Sequence, residues 1–405
     1  LPVILAIAWA FSADRRAIPW RTVAGGVALQ VALGLLLIRF PPARATVFAL
    51  DGVANALQTA TDAGTAFLFG YLGGGRLPFV ENPPGSAFIL AFKALPLVLV
   101  ISALSALLFH WGVLQRVAGA FAWLLRRTLG VGGALALGAA VHVFVGMIEA
   151  PILIRPWLAR MQRGELFALM ACGLAGIAGT VMVIYASLLG PVVPDALGNI
   201  LVAAVLSTPA ALAIAAIMVP FGPGADVADV AEERAASAID ALVRGTLDGL
   251  RPLVGIAAVL LVTITLVTLA NRLLAHVPSW TDGPLTLQAI FALPFRPLTW
   301  LIGLDWAESA VGAQLMATKT VLNEFVAYLD LAKLPEGALS SHGRLVMTYA
   351  LCGFANFGSL GILVGGLGVI VPERRAEVVA LGMRAVLAGT LATLSSGALA
   401  GLLSG

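Results

Sequence analysis

The sequence predicts an all-α integral membrane protein with eight transmembrane helices, and three observations lead there. Of 405 residues, 60% are hydrophobic and 11% charged, whereas a soluble domain carries roughly 25% charged residues. Apolar stretches of about 20 residues, the length that spans a bilayer, recur from one end to the other. Those stretches are rich in Ala and Leu, with 7% aromatics, and lack the short alternating strands of an outer-membrane barrel.

The spans are read in order as 1–13, 22–40, 88–114, 166–190, 196–220, 252–275, 344–371 and 377–403. Leu1 opens directly into the first of them, and no cleavable leader is expected. Between the second and third, residues 44–70 place Asp51, Asn55, Gln58 and Asp62 at helical spacing, which predicts an interfacial helix. Two further segments are apolar but interrupted. Residues 132–158 carry Gly146, Glu149 and Pro151, and 285–328 carry Pro294, Pro297, Glu308 and Asn323-Glu324. Broken hydrophobic segments line cavities and do not face lipid, so each is predicted to form a re-entrant hairpin. Residues 221–251, with nine charges from Asp226 to Arg251, read as a polar connecting helix. Arg15, Arg16 and Arg21 follow the first span, and Arg374 and Arg375 precede the last. By the positive-inside rule both loops are cytoplasmic, which puts both termini outside.

Several function classes drop out. The net charge is +3 with no Lys/Arg run, so nucleic acid is not a partner. Cys172 and Cys352 lie in apolar segments and suggest no disulfide framework. His110, His142, His276 and His342 have no metal-ligand partners at zinc-like spacing, so neither metal nor cofactor is expected. There is no Walker A sequence, nucleophile elbow or His-Glu-x-x-His, which argues against a pump or an enzyme. Too few intramembrane polar residues are present for a continuous channel.

An internal repeat gives a positive indication. Met170-Ala-Cys-Gly-Leu-Ala-Gly-Ile-Ala-Gly179 matches Ala350-Leu-Cys-Gly-Phe-Ala-Asn-Phe-Gly-Ser359 in register. Each copy follows a broken segment with a buried-looking glutamate, Glu149 or Glu324, and an odd number of crossings between copies would invert one. Paired hairpins and Gly-rich helices are the pattern of a secondary transporter built from repeats.

Charged groups at membrane depth are costly and persist where function needs them. Glu149, between Gly146 and Pro151, suits a polar substrate or a cation at a hairpin tip; a structural pair with Arg155 is the alternative. Asn323-Glu324 offers a donor, an amide acceptor and a carboxylate within one turn, which suits a polyhydroxylated ligand such as a sugar. A pair with Lys319 is its alternative. Asn356 and Ser359 share a helix face beside Phe354, which could stack on a ring, although close packing through small residues is also open. A lone His142 is more often a hydrogen-bonded structural residue than a ligand.

The blocks Gly146–Pro156, Asn323–Ala327 and Cys352–Ser359 running into Gly365–Gly368 resemble, in order and spacing, the concentrative nucleoside transporters. The resemblance covers essentially the whole chain. It implies two opposed hairpins in an inverted-repeat transport domain, a scaffold domain, a homotrimer in the bilayer and an elevator-like cycle. On that pattern 1–43 holds peripheral and scaffold spans, and 88–114, 196–220 and 252–275 are scaffold spans. Residues 132–190 and 285–371 form the transport domain, and 377–403 is the last span. Glu149 is implied to recognise the nucleobase, with Gly146, Met147 and Ile148 beside it and Val181 and Phe354 lining the base pocket. Glu324, with Asn323, Asn356 and Ser359, is implied to bind ribose.

Two departures from the family pattern shape the expected function. Met147-Ile148 replaces a polar pair that hydrogen-bonds the base, so base selectivity is expected to be relaxed. His142 and Gly176 stand where sodium-coupled members place side-chain oxygens, with Val145 and Ile177 at the carbonyl positions. Neither offers the oxygen ligand that sodium needs. The expected function is therefore nucleoside import by proton symport in a bacterial inner membrane, with sodium coupling through backbone carbonyls as the alternative. The candidate proton carriers are Glu149, then His142, with Glu324 as a third.

Overall fold

A computed structural model describes residues 1–81, 87–222, 224, 235–279 and 283–404, and every regular element in them is helical. The chain opens with α1 (Pro2–Ala10) and α2 (Trp20–Gly34), which runs on as a π turn to Arg39. There follow α3 (Pro41–Phe48), α4 (Leu50–Phe69), α5 (Leu90–Lys93), α6 (Leu97–His110) and α7 (Val113–Leu129). A first helical hairpin comprises α8 (Gly133–Val141), α9 (Glu149–Leu153) and α10 (Arg155–Leu158). Helices α11 (Arg163–Ala175) and α12 (Gly179–Leu189) form a broken span, then come α13 (Ala196–Met218) and α14 (Ala238–Leu274). The second half repeats the plan with α15 (Leu287–Leu301), a hairpin of α16 (Trp306–Val321) and α17 (Glu324–Lys333), and a broken span of α18 (Ser341–Leu351) and α19 (Phe357–Ile370). It ends with α20 (Arg375–Ser404).

Among the described residues, five helical stretches are long and apolar enough to cross a membrane: Trp20–Arg39, Leu90–His110, Ala196–Met218, Ala238–Leu274 and Pro372–Ser404. The two broken spans make seven, and the short α1 stands in the place of the eighth. The expected boundaries need five corrections. Residues 1–13 hold a nine-residue helix, whose rise of about 14 Å is half a bilayer core. Residues 88–114 are kinked at Pro96, which cannot donate to the helix ladder. The span 166–190 is two helices, because Gly176 leaves α11 in extended backbone. Of segment 221–251, residues 223 and 225–234, with Asp226 to Arg234, lie outside the described residues, and from Ala238 the rest belongs to a single 37-residue helix that runs through Pro252. Ser237 caps its start, and Asp240 pairs with Arg244 one turn on at 2.9 Å. Finally, 285–301 is a helix of its own ahead of the second hairpin.

The sequence reading also missed α7. Its buried Ala118, Ala122, Leu125 and Leu129 recur at helical spacing, and Arg116, Arg126 and Arg127 are exposed on the other side. The segment read as an interfacial helix forms α3 and α4, joined at Ala49; the side chain of Asp51 lies outside the described residues.

Helices pack closely where small residues let backbones approach. Gly245 and Gly249 of α14 sit against Ser102 and Ala103 of α6. Gly26 seats α2 on Pro209 and Ala213 of α13. Helix α13, expected among the scaffold spans, is almost wholly buried between α2, α11 and α20. A polar cluster ties these together. Gln30 accepts from Ser395 Oγ at 2.9 Å, and Ser207 and Ser396 hydroxyls lie 2.9 Å apart.

Candidate functional site

Two helix breaks and the second hairpin tip meet inside the molecule, and the first tip packs on both broken spans. At the second tip α16 ends at Val321, and Asn323, in extended backbone, caps α17 by accepting the Val326 N–H at 3.0 Å. That cap sets Glu324 as the first residue of α17. There the free N–H groups and helix dipole favour a carboxylate, and Glu324 is buried. Tyr185 of α12 donates its hydroxyl to Oε1 at 2.8 Å, and Asn356 Nδ2 donates to Oε2 at 2.8 Å. Asn356 also caps α19, accepting the Ser359 N–H at 2.7 Å. One asparagine therefore stops a helix and orients a carboxylate.

The surroundings are aromatic. The Tyr185 ring lies 5.0 Å from that of Tyr328 and 5.9 Å from that of Phe325. Tyr328 anchors itself by donating to Thr348 O at 2.8 Å. Val181 lies one turn before Tyr185, on the same face of α12, and is buried. Phe354 is half-buried in the second break, and its N–H donates across to Gly176 O in the first break at 3.1 Å. The repeat seen in sequence is thus a physical contact: the two breaks clasp each other.

Of the residues expected to bind sugar, Glu324, Asn356 and Ser359 are brought into one chain of hydrogen bonds, and Asn323 positions the first of them. The carboxylate has about four lone-pair sites and two are used, so hydroxyl donors can still be accepted. Tyr185 was not singled out in the sequence, because a tyrosine in an apolar span reads as packing. The pair Glu324–Lys319 does not form: Lys319 Nζ bonds Ala350 O and Thr393 Oγ1 instead.

The first tip is built differently. It runs from His142 to Ile148, and α9 starts at Glu149 with no side-chain cap. Glu149, expected to be buried, is exposed, and its carboxylate folds back over Gly146. Among the described residues it has no hydrogen-bond or ion-pair partner, so the alternative pair with Arg155 is absent as well. A short helix that begins at the acid, at the end of a loose tip, carries the side chain outward. Met147 lies on Gly173 of α11 and Ile148 on Gly366 of α19, so this apolar pair seals the tip against both broken spans.

His142, expected to be hydrogen-bonded if structural, is buried against Gly173 with neither ring nitrogen partnered. Val145 is half-buried, Ile177 is fully buried, and Gly176 contributes its carbonyl to the clasp.

The chain matches three family models: "Na+ dependent nucleoside transporter N-terminus" over residues 1–72, "Nucleoside recognition" over 91–192, and "Na+ dependent nucleoside transporter C-terminus" over 199–401. It is 38% identical to an uncharacterized transporter of Haemophilus influenzae, over 100% of this chain and 96% of that one. It is 33% identical to the nucleoside permease NupC of Helicobacter pylori, again over 100% and 96%. A solved structure of CNTnw in an inward-facing, substrate-bound state superposes with a TM-score of 0.89 at 36% identity, covering 100% of this chain and 97% of that one. Variants of CNTnw have also been solved in outward-facing and intermediate states.

Proposed function

The chain belongs to the concentrative nucleoside transporter family, a family of cation-coupled membrane transporters and not of enzymes, and from that premise we propose that it imports nucleosides by proton symport. The observation that carries the reading is Glu324: a buried carboxylate at a helix N-terminus, oriented by Tyr185 and Asn356 from both halves of the repeat. Such a group accepts a pair of ribose hydroxyls, each worth about 1.5–3 kcal/mol as a charge-assisted hydrogen bond. Asn323 sets its position, and Asn356 and Ser359 complete the sugar side. Val181 and Phe354 flank the base, and the first tip, with Glu149 beside Gly146, Met147 and Ile148, is assigned to the base as well, although Glu149 points outward here. With Met147 and Ile148 engaged in packing, discrimination among bases is weak.

Proton coupling is supported by His142, a buried imidazole with two unpartnered nitrogens where sodium-coupled members place an oxygen. Burial favours it over the exposed Glu149 as the carrier, with Glu324 third. The sodium reading keeps support from the family description and from the carbonyls near Val145 and Ile177. Elevator-type movement is supported by the construction. The site is assembled from α12, the second hairpin and the second broken span, while α6 and α14 pack on each other. Leu242, Leu261 and Leu269 of α14 are exposed, which suits a lipid face and contacts between copies in a homotrimer. The location is a bacterial inner membrane with both termini periplasmic.

The test is uridine uptake into proteoliposomes under separately imposed proton and sodium gradients. An inward proton gradient should stimulate uptake, a protonophore should abolish the stimulation, and choline in place of sodium should change nothing. Stimulation by sodium that ignores the pH gradient would replace the proton with sodium and leave the nucleoside assignment standing.

A further inference from the structure

Helix α18 ends at Leu351 deep in the packed body, where its last carbonyls have no intrahelical partner. In an unbroken helix Ala350 O would accept the N–H of Phe354, but that N–H is committed to Gly176 O. The orphaned carbonyl is taken by Lys319, whose Nζ lies 2.9 Å from Ala350 O and 3.0 Å from Thr393 Oγ1. Thr393 gives its own proton to Thr390 O at 3.0 Å, which leaves its lone pairs for the ammonium. The negative end of α18 adds to the hold on the cation. Lys319 is completely inaccessible to solvent.

A buried ammonium without an anion in reach is strongly disfavoured. Glu324 is the carboxylate five positions along the same hairpin, buried at the start of α17 just past the end of α16 that carries Lys319. The two do not touch: the carboxylate holds Tyr185 and Asn356, and the ammonium holds Ala350 and Thr393. The other titratable groups that face Glu324 are Tyr185 on α12, Tyr328 on α17 and Cys352 in the second break, weak acids that bring no positive charge.

We propose that Lys319 is a positioning residue for nucleoside recognition, a fixed counter-charge that keeps Glu324 ionised in a dry site without occupying its oxygens. The inference rests on Glu324 being the sugar-binding carboxylate. A direct ion pair would take the lone pairs that the ribose hydroxyls need. Anchoring the ammonium on a helix end, at one remove, leaves them available. Protonation would turn one acceptor site of Glu324 into an O–H donor and remove the charge that strengthens the others, so the distance and the charge both serve recognition.

The experiment is uridine binding to the purified protein across pH 5–9, with Lys319→Met, Lys319→Arg and Glu324→Gln compared against wild type. Loss of the counter-charge should make Lys319→Met lose binding at a pH about one unit higher than wild type. Lys319→Arg keeps the charge and should hold the wild-type midpoint. An unmoved midpoint in Lys319→Met, or an equal shift in both variants, overturns the proposal. If Lys319→Met does not assemble, Lys319→Met/Glu324→Gln removes both charges and should recover assembly and thermal stability. A double variant no more stable than the single one overturns it too. Undiminished binding by Glu324→Gln instead sinks the sugar-site assignment beneath it, so the two failures are distinguishable.

Discussion

The two halves of the molecule follow one plan, yet they end their helices in opposite ways. In the second half the tip between α16 and α17 is two residues long, and Asn323 closes it with a side-chain cap. The break between α18 and α19 is closed by Asn356 in the same manner. In the first half the tip runs through seven residues to an uncapped α9, and α12 starts after Ala178, which has no side chain to cap with. The second half is satisfied by its own amides; the first leaves an imidazole with two idle nitrogens. A buried polar group without a partner costs about 1–3 kcal/mol, so one half is built to hold a fixed geometry and the other stores an unmet demand. That division suits the proposed symport, in which the second half would hold the sugar and the first would take up the ion.

The sharpest way to break this comparison is Glu324→Gln, which keeps the shape of the site and removes its charge. Two charge-assisted hydrogen bonds at about 1.5–3 kcal/mol each imply a loss of uridine affinity on the order of 10²-fold or more, measured by calorimetry. Affinity within about twofold of wild type would show that the ordered half does not bind the sugar. Next in size is Asn356→Ala, which removes the cap of α19 and a hydrogen bond to Glu324 together. It should weaken uridine binding about tenfold and lower stability by about 1–2 kcal/mol, seen as a lower unfolding midpoint.

His142→Leu probes the other half, and the sign differs. Removing two unpartnered nitrogens should leave stability unchanged or raise it by about 1 kcal/mol, while uptake stops responding to a proton gradient. Lost stability with retained proton stimulation would make the histidine a structural residue after all. The smallest effect is expected from Ala178→Ser, which supplies the missing cap to α12. Its backbone already has the extended geometry of a capping residue, and the gain should be about 0.5–1 kcal/mol in thermal unfolding. No gain there would mean that the bare start of α12 is set by packing and not by a missing partner.

The ordered half was also the more legible in sequence. Asn323, Glu324, Asn356 and Ser359 stand out because polar groups are rare in apolar runs; the first three hold defined bonds through their side chains, and Ser359 joins them through its backbone N–H. Glu149 is spelled in a similar context, but sequence does not record whether a tip is tight or loose, and that decides whether an acid is buried. Tyr185 stayed invisible because its ring packs like any apolar side chain, and only its hydroxyl, bonded to Glu324, sets it apart. Helix α7 escaped because Arg116, Arg126 and Arg127 interrupt its 17 residues, so no apolar window of spanning length isolates it. Lys319 looked like a partner for Glu324 because they are close in sequence. Its true anchor, Ala350 O, is created by a helix break and has no signature of its own.

The clasp between Phe354 N–H and Gly176 O also bears on how the protein is made. Synthesis runs from the N-terminus at about 5–20 residues per second, and the first half enters the membrane well before its partner exists. During that interval Gly176 has a carbonyl at membrane depth that no donor in its own half takes, and Gly353 has yet to fill the space beside Ala175. The clasp can close only once the second broken span, α18 and α19, has been made.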